Sequence, residues 1–124
     1  MAIAVTRAAI EMEQRSDSVT PYEVIALLLD GALERVDQAK QMLANGNTEE
    51  AGELMTRVID IINGLRGSLD FELGGELAEN LDALYGYIIQ RLCQAEAEDG
   101  DVILTEATSL LGKVKSGWDG IAAA

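Results

Sequence analysis

A chain of 124 residues that sets nine lysines and arginines against 22 aspartates and glutamates has a formal charge of −13. That balance argues against a nucleic-acid partner and against an anionic membrane surface, because both are gripped through a basic footprint. Histidine is absent, which removes serine–histidine and cysteine–histidine nucleophiles, the carboxylate–histidine metal sites of helical bundles and histidine phosphotransfer.

The length suits one domain with one core. Only 4% of residues are aromatic and there is a single proline, so the core is expected to be aliphatic and the elements helical rather than extended. The lone Cys93 has no internal disulfide partner, which points to a reducing compartment. The opening segment breaks its apolar run at Thr6 and Arg7, unlike a signal peptide, and the apolar run Val24–Leu29 is far too short for a membrane span. The expectation is a soluble, cytoplasmic protein with no membrane insertion.

Residues 1–19 stand apart as a mobile N-terminal arm. Ile3, Val5, Ile10 and Met12 give at most a turn or two of amphipathic character, and a polar stretch separates them from the rest of the chain. At Thr20 the pattern changes. Thr20 suits an N-cap, Pro21 the first helical position, and Glu23 completes a capping box. A first helix is predicted from there to about Ala44. Asn45–Asn47 stop it, with Gly46 as a left-handed cap. Asn47 or Thr48 caps a second helix running to about Leu69, and Glu49 and Glu50 suit its positive end. The stretch from Asp70 to Gly75 makes a corner. A third helix extends from Gly75 to about Glu96. Glu98–Asp101 turn the chain once more, and a fourth helix runs to about Ile121. Four helices of about 20 residues with short connections predict an all-α fold, an antiparallel up-down-up-down four-helix bundle over residues 20–124.

The apolar arcs of these helices differ in width. In the second helix, Leu54, Met55, Val58, Ile59, Ile61, Ile62, Leu65 and Leu69 suffice for a core face. In the fourth, Ile103, Ala107, Leu110, Leu111, Val114, Trp118 and Ile121 do the same. The third helix has a core stripe of Leu77, Leu81, Leu84, Ile88 and Leu92, and exceeds it with Tyr85 and Ile89 on one flank and Tyr87 on the other. The first helix turns Ile25, Leu29, Ala32, Val36 and Leu43 to the core while Val24, Leu27 and Leu28 spill past, around Gly31. A glycine inside a helix suggests close approach of another backbone. Either neighbouring helices and the arm absorb this surplus, or it forms a groove for a foreign helix. Tyr85 and Tyr87 suit such a groove, and Asn80 stands where it can bond a partner's backbone.

Chemistry is hard to find in the chain. Gly74–Gly75 lack the lysine and preceding strand of a phosphate loop. Asp99–Asp101 lack the remaining ligands of a calcium loop. Cys93 reads as a small packed residue. No catalytic residue, metal or cofactor is expected, which leaves a binding protein, with a self-associating bundle as the structural alternative and a carboxylate-based helical catalyst as the remote one.

The order of residues carries more than their periods. The stretch TPYEVIALLLDGAL (20–33), the block IDIINGLRGSLDFELGGELAENLDALYGYIIQRL (59–92) and a last amphipathic helix with Trp118 resemble the FliS family of flagellin export chaperones over about residues 20–120. The resemblance implies a cytoplasmic helical bundle that takes the disordered C-terminal segment of flagellin into hydrophobic grooves. It also implies that the chaperone keeps flagellin unpolymerised and presents it to the flagellar type III export apparatus. On this chain the implied binding residues are Val24, Leu27, Leu28, Gly31, Asn80, Leu84, Tyr85, Tyr87 and Ile89. In the family the arm can occupy the groove. Here it has no tyrosine before Tyr22, so Ile10 or Met12 takes that place, and Leu29 stands where the family often has tyrosine. A homodimer in the absence of cargo and a different exported filament protein as cargo remain open alternatives.

Overall fold

Proline's fixed φ and missing N–H suit the first turn of a helix, and Pro21 opens one here. The computed structural model describes residues 21–95 and 99–123. Its helices are α1 (Pro21–Ala44), α2 (Thr48–Gly67), α3 (Phe71–Gln94) and α4 (Gly100–Ala123). The predicted arm 1–19, with Ile10 and Met12, and the cap residue Thr20 lie outside the described residues.

The corners show why the helices stop where they do. Gly46 takes φ +82°, the left-handed value that glycine adopts without a Cβ penalty, and its N–H donates to the Leu43 carbonyl at 3.1 Å. Asn47 occupies the N-cap position of α2, but its side chain makes no capping bond. Its amide instead turns back to the Met42 sulfur at 3.7 Å, so the expected side-chain cap is replaced by the Glu49 and Glu50 charges of the first turn.

The third helix begins earlier than expected. The Asp70 carboxylate accepts a hydrogen bond from the Leu73 N–H at 3.0 Å, and the Gly74 N–H donates to the Asp70 carbonyl at 2.8 Å. Phe71–Leu73 are therefore a capped helical turn rather than a loop. Gly75 then breaks the spiral at φ +52°, ψ −129°, a conformation close to glycine-only. The glycine pair marks a kink inside α3. At the opposite end Gly100 starts α4 tightly against α1: a Cβ there would lie 2.7 Å from the Leu43 Cδ1 and 3.1 Å from the Ala95 carbonyl.

The helices form a ring in chain order. α1 runs close along both α2 and α4, while α3 meets the same two helices more sparsely, so α1 and α3 face each other across the core. Side-chain size accounts for the difference. α1 turns Ala32 and Ala39 inward beside Ile25, Leu29 and Val36, whereas α3 has Ala78 in the core near its start and turns in the larger Tyr85, Ile88 and Leu92 along the rest. Leu104 of α4, which the helical wheel leaves out of the core, is fully buried.

Charged side chains clasp the ring from outside. Arg66 of α2 holds Asp82 of α3 at 2.6 Å, Arg91 of α3 holds Glu106 of α4 at 2.9 Å, and Lys115 of α4 reaches Asp30 of α1 at 3.2 Å and Asp119 at 2.8 Å. Hydrogen bonds to Asp119 and then Asp30 push the Lys115 pKa above its ordinary value. Each of these pairs is partly solvated, a setting in which an ion pair contributes little to stability. Together they fix which flank of each helix faces which neighbour. No helix among the described residues is long and apolar enough to cross a membrane.

Candidate docking surface

The first surplus region lies on α1. Residues spaced three and four apart share a helix flank, so Val24, Leu28, Gly31, Arg35, Gln38 and Met42 form one line. Gln38 and Met42 border the same open depression as Glu50, Leu54 and Arg57, which places that line along the α1–α2 seam. Leu27 adjoins it on the outer side and is 67% exposed, while Leu28 is at the margin of exposure and Val24 is half-buried. Carried down the two antiparallel helices at equal rise, the same register sets Leu28 level with Gly64 and Val24 level with Ser68. A Cβ on Gly64 would meet nothing within 4 Å. The α2 surface level with the leucines is therefore uncovered.

Gly31 does not serve as a point of backbone approach. The Arg35 Nη1 donates to the Gly31 carbonyl at 3.1 Å, and a Cβ on Gly31 would lie 3.2 Å from that nitrogen. The glycine makes room for an arginine folded back along its own helix. Gly86 seats the Arg66 guanidinium in the same way, at 3.2–3.3 Å.

The second region runs along the α3–α4 seam. Leu77, Asn80, Leu84, Tyr87 and Arg91 share a flank, and Tyr87 and Arg91 both bond Glu106 of α4. Tyr87 is 43% exposed, Leu77 46% and Asn80 also exposed, while Leu84 is half-buried. Opposite them, Leu110 and Val114 of α4 are only half-buried, although the wheel assigns them to the core. The Tyr87–Glu106 contact sets a register in which Leu77 stands level with Ser116 and Gly117, and a Cβ on Gly117 would meet nothing within 4 Å. The exposed apolar residues of this seam gather toward the start of α3. Next to it, the kinked first turn exposes Phe71 and Leu73, the latter at 62%.

The nine candidate binding residues thus separate. Val24, Leu27, Leu28 and Gly31 gather on the α1–α2 seam; Asn80, Leu84 and Tyr87 gather on the α3–α4 seam. Tyr85 is core: it is 3% exposed, and burial pushes its phenol pKa up to about 12. Its hydroxyl forms no hydrogen bond among the described residues. Ile89 lies on the α2-facing flank, three residues from Gly86 and seven from Asp82, and is half-buried. Leu77 moves the other way, from predicted core to surface. Phe71, Leu73 and Leu77 are the residues that helical periodicity overlooks. For Phe71 and Leu73 the signal in the sequence is the glycine pair, which interrupts the register on which a wheel depends.

The surface is apolar at one end of each seam and charged toward the other. Among the described residues no three of His, Cys, Asp and Glu cluster as metal ligands would. What the arrangement offers chemically is apolar area beside hydrogen-bonding rims, the pattern of a helix-accepting groove.

Comparison with known proteins agrees in kind. The family model described as "Flagellar protein FliS" matches residues 4–124. The chain is 45% identical over 112 residues to the flagellar secretion chaperone FliSB of Pseudomonas aeruginosa, covering 90% of this chain and 89% of the relative. It is 37% identical to flagellar secretion chaperone FliS of Salmonella typhimurium, covering 90% and 83%, and 31% identical to that of Vibrio cholerae, covering 90% and 82%. A match of this extent, on a four-helix bundle with open apolar seams, places the chain in the FliS family of flagellar secretion chaperones.

Proposed function

We propose that this chain binds the disordered C-terminal segment of flagellin in its two seams, shields it from polymerisation in the cytoplasm and delivers it to the flagellar export apparatus. The observation that carries the reading is the exposure of Leu27 and Leu28 on one seam and Leu77 and Tyr87 on the other. The α1–α2 and α3–α4 seams lie on opposite edges of the ring, so a single straight helix cannot cover both. A flexible chain with two amphipathic stretches can, folding as it binds.

In this reading residues 1–19 act as the arm, and Ile10 and Met12 compete with cargo for a seam. The ligand's apolar burial, at about 25 cal/mol per Å², drives association and is offset by the ordering of a disordered chain. The complex should accordingly tolerate moderate salt.

Titration with a synthetic peptide spanning the C-terminal segment of flagellin, monitored by circular dichroism, tests the reading. Helix content should rise beyond the sum of the separate spectra. Tyr87→Asp should reduce that gain while the free bundle stays folded. A spectrum that stays additive at saturating peptide, or a concentration-independent dimer indifferent to peptide in light scattering, would instead favour a self-associating bundle.

A further inference from the structure

We infer that Glu106, braced by Arg91, is a positioning residue that holds the Tyr87 ring as a fixed ledge over the α3–α4 seam and leaves the phenol oxygen free to accept a hydrogen bond from the docked segment. The inference rests on the docking role of that seam proposed above.

Three contacts carry it. The Tyr87 hydroxyl donates to the Glu106 carboxylate, with both oxygens at 3.1 Å. The Arg91 Nε donates to Glu106 Oε1 at 2.9 Å, and the Arg91 Nη1 donates to Gln94 Oε1 at 2.7 Å. The carboxylate is thus held from behind by a charge-assisted bond, itself anchored one turn further along α3. A half-exposed tyrosine without such a partner exchanges rotamers freely. Here its orientation is set before any ligand arrives. Immobilising a side chain on binding carries an entropic cost, and that cost is largely met in the free bundle. The donor role of the hydroxyl is taken by Glu106, and the negative charge polarises the phenol oxygen, making it a better acceptor. A docked segment should therefore present an N–H or hydroxyl donor to Tyr87 and place apolar atoms against its ring and Leu84.

A set of variants read by calorimetric titration with the flagellin C-terminal peptide decides the matter. Glu106→Ala and Tyr87→Phe should each weaken binding about 3- to 10-fold, the span that corresponds to the ordering cost. Glu106→Gln, which keeps an acceptor for the hydroxyl but loses the charge-assisted bond to Arg91, should recover only part of the affinity lost in Glu106→Ala. In the Tyr87→Phe background Glu106→Ala should add nothing, because its effect passes through the hydroxyl. Undiminished affinity in Tyr87→Phe, or an equal loss from Glu106→Ala with and without the hydroxyl, overturns the positioning role. Tyr87→Phe keeps the ring and so keeps the fold, which protects the test from an unfolded variant. If Tyr87→Ala itself leaves affinity intact, it is the docking role of the seam that fails, a result distinct from the other two.

Discussion

α1 and α3 stand opposite each other in the ring and both have more apolar surface than one core face needs, yet they dispose of it differently. α1 is packed close to both neighbours through Ala32 and Ala39. Its core face is already filled, and its surplus stays outside as Leu27 and Leu28. α3 is held off by the bulk of Tyr85, Ile88 and Leu92 and clasped from its edges by Arg66–Asp82 and Arg91–Glu106. The wider gap lets α3 take Tyr85 inside, and its exposed apolar residues shift to Tyr87, Leu77 and the kinked first turn. A wide arc on a helical wheel therefore specifies an excess and leaves its destination to the spacing between helices.

The sharpest way to break this contrast is to remove the closeness of α1. Ala32 has no solvent exposure, and Ala32→Leu forces extra methylenes between backbones that have no space for them. A loss of about 3 kcal/mol is expected in urea unfolding, at the upper end of overpacking effects. If Ala32→Leu is tolerated to within about 0.5 kcal/mol, the spacing argument for α1 is wrong.

The second test addresses α3 through Tyr85. Burial pushes its phenol pKa up to about 12 in the folded state, against about 10 for the unfolded chain. Below pH about 10 both states hold the proton, so this group adds no pH dependence there. As pH climbs toward about 12 the unfolded chain releases its proton first, the unfolded state binds fewer protons, and stability falls by about 2 kcal/mol. Tyr85→Phe should lose this alkaline slope. At neutral pH it should be neutral or slightly stabilising, since it removes a buried hydroxyl with no bonded partner among the described residues. An unchanged alkaline slope in Tyr85→Phe would place the ring in water.

These outcomes bear on what can be read from the residues alone. The helices and their corners are legible because each is signalled locally: Pro21 at the start of α1, the left-handed Gly46, and the switch of apolar period at each turn. The α1 seam is legible for the same reason, as Leu27 and Leu28 fall outside any arc that the core can use. The α3 seam is only half legible. Periodicity returns an angle around the helix axis, and Tyr85 and Tyr87 are both at the margins of the stripe by angle. One is buried and the other exposed because the neighbours differ: Tyr85 turns into the wide interior, and Tyr87 meets the Glu106 carboxylate. Leu77 has the angle of a core residue. Its 46% exposure depends on what α4 sets beside it, which no single-helix pattern contains. Gly31 and Gly86 mislead likewise, since their purpose is set by arginines that fold over them.

The smallest effect on stability, and the finest probe of the contrast, comes from Leu27→Ser on α1 and Leu77→Ser on α3. Leu27 is 67% and Leu77 46% exposed, so each substitution should move the unfolding free energy by less than about 1 kcal/mol. A full leucine burial is worth about 1.5–3 kcal/mol. The portion still open to a ligand is larger on α1 than on α3. Leu27→Ser should therefore weaken flagellin-peptide binding by about 10-fold and Leu77→Ser by somewhat less. The two sites are on opposite seams and share no neighbours, so the losses should add in free energy when combined. Additivity implies one ligand spanning both seams at once. A double variant no weaker than Leu77→Ser alone would confine docking to the α3–α4 seam, and the exposed leucines of α1 would then need a different partner.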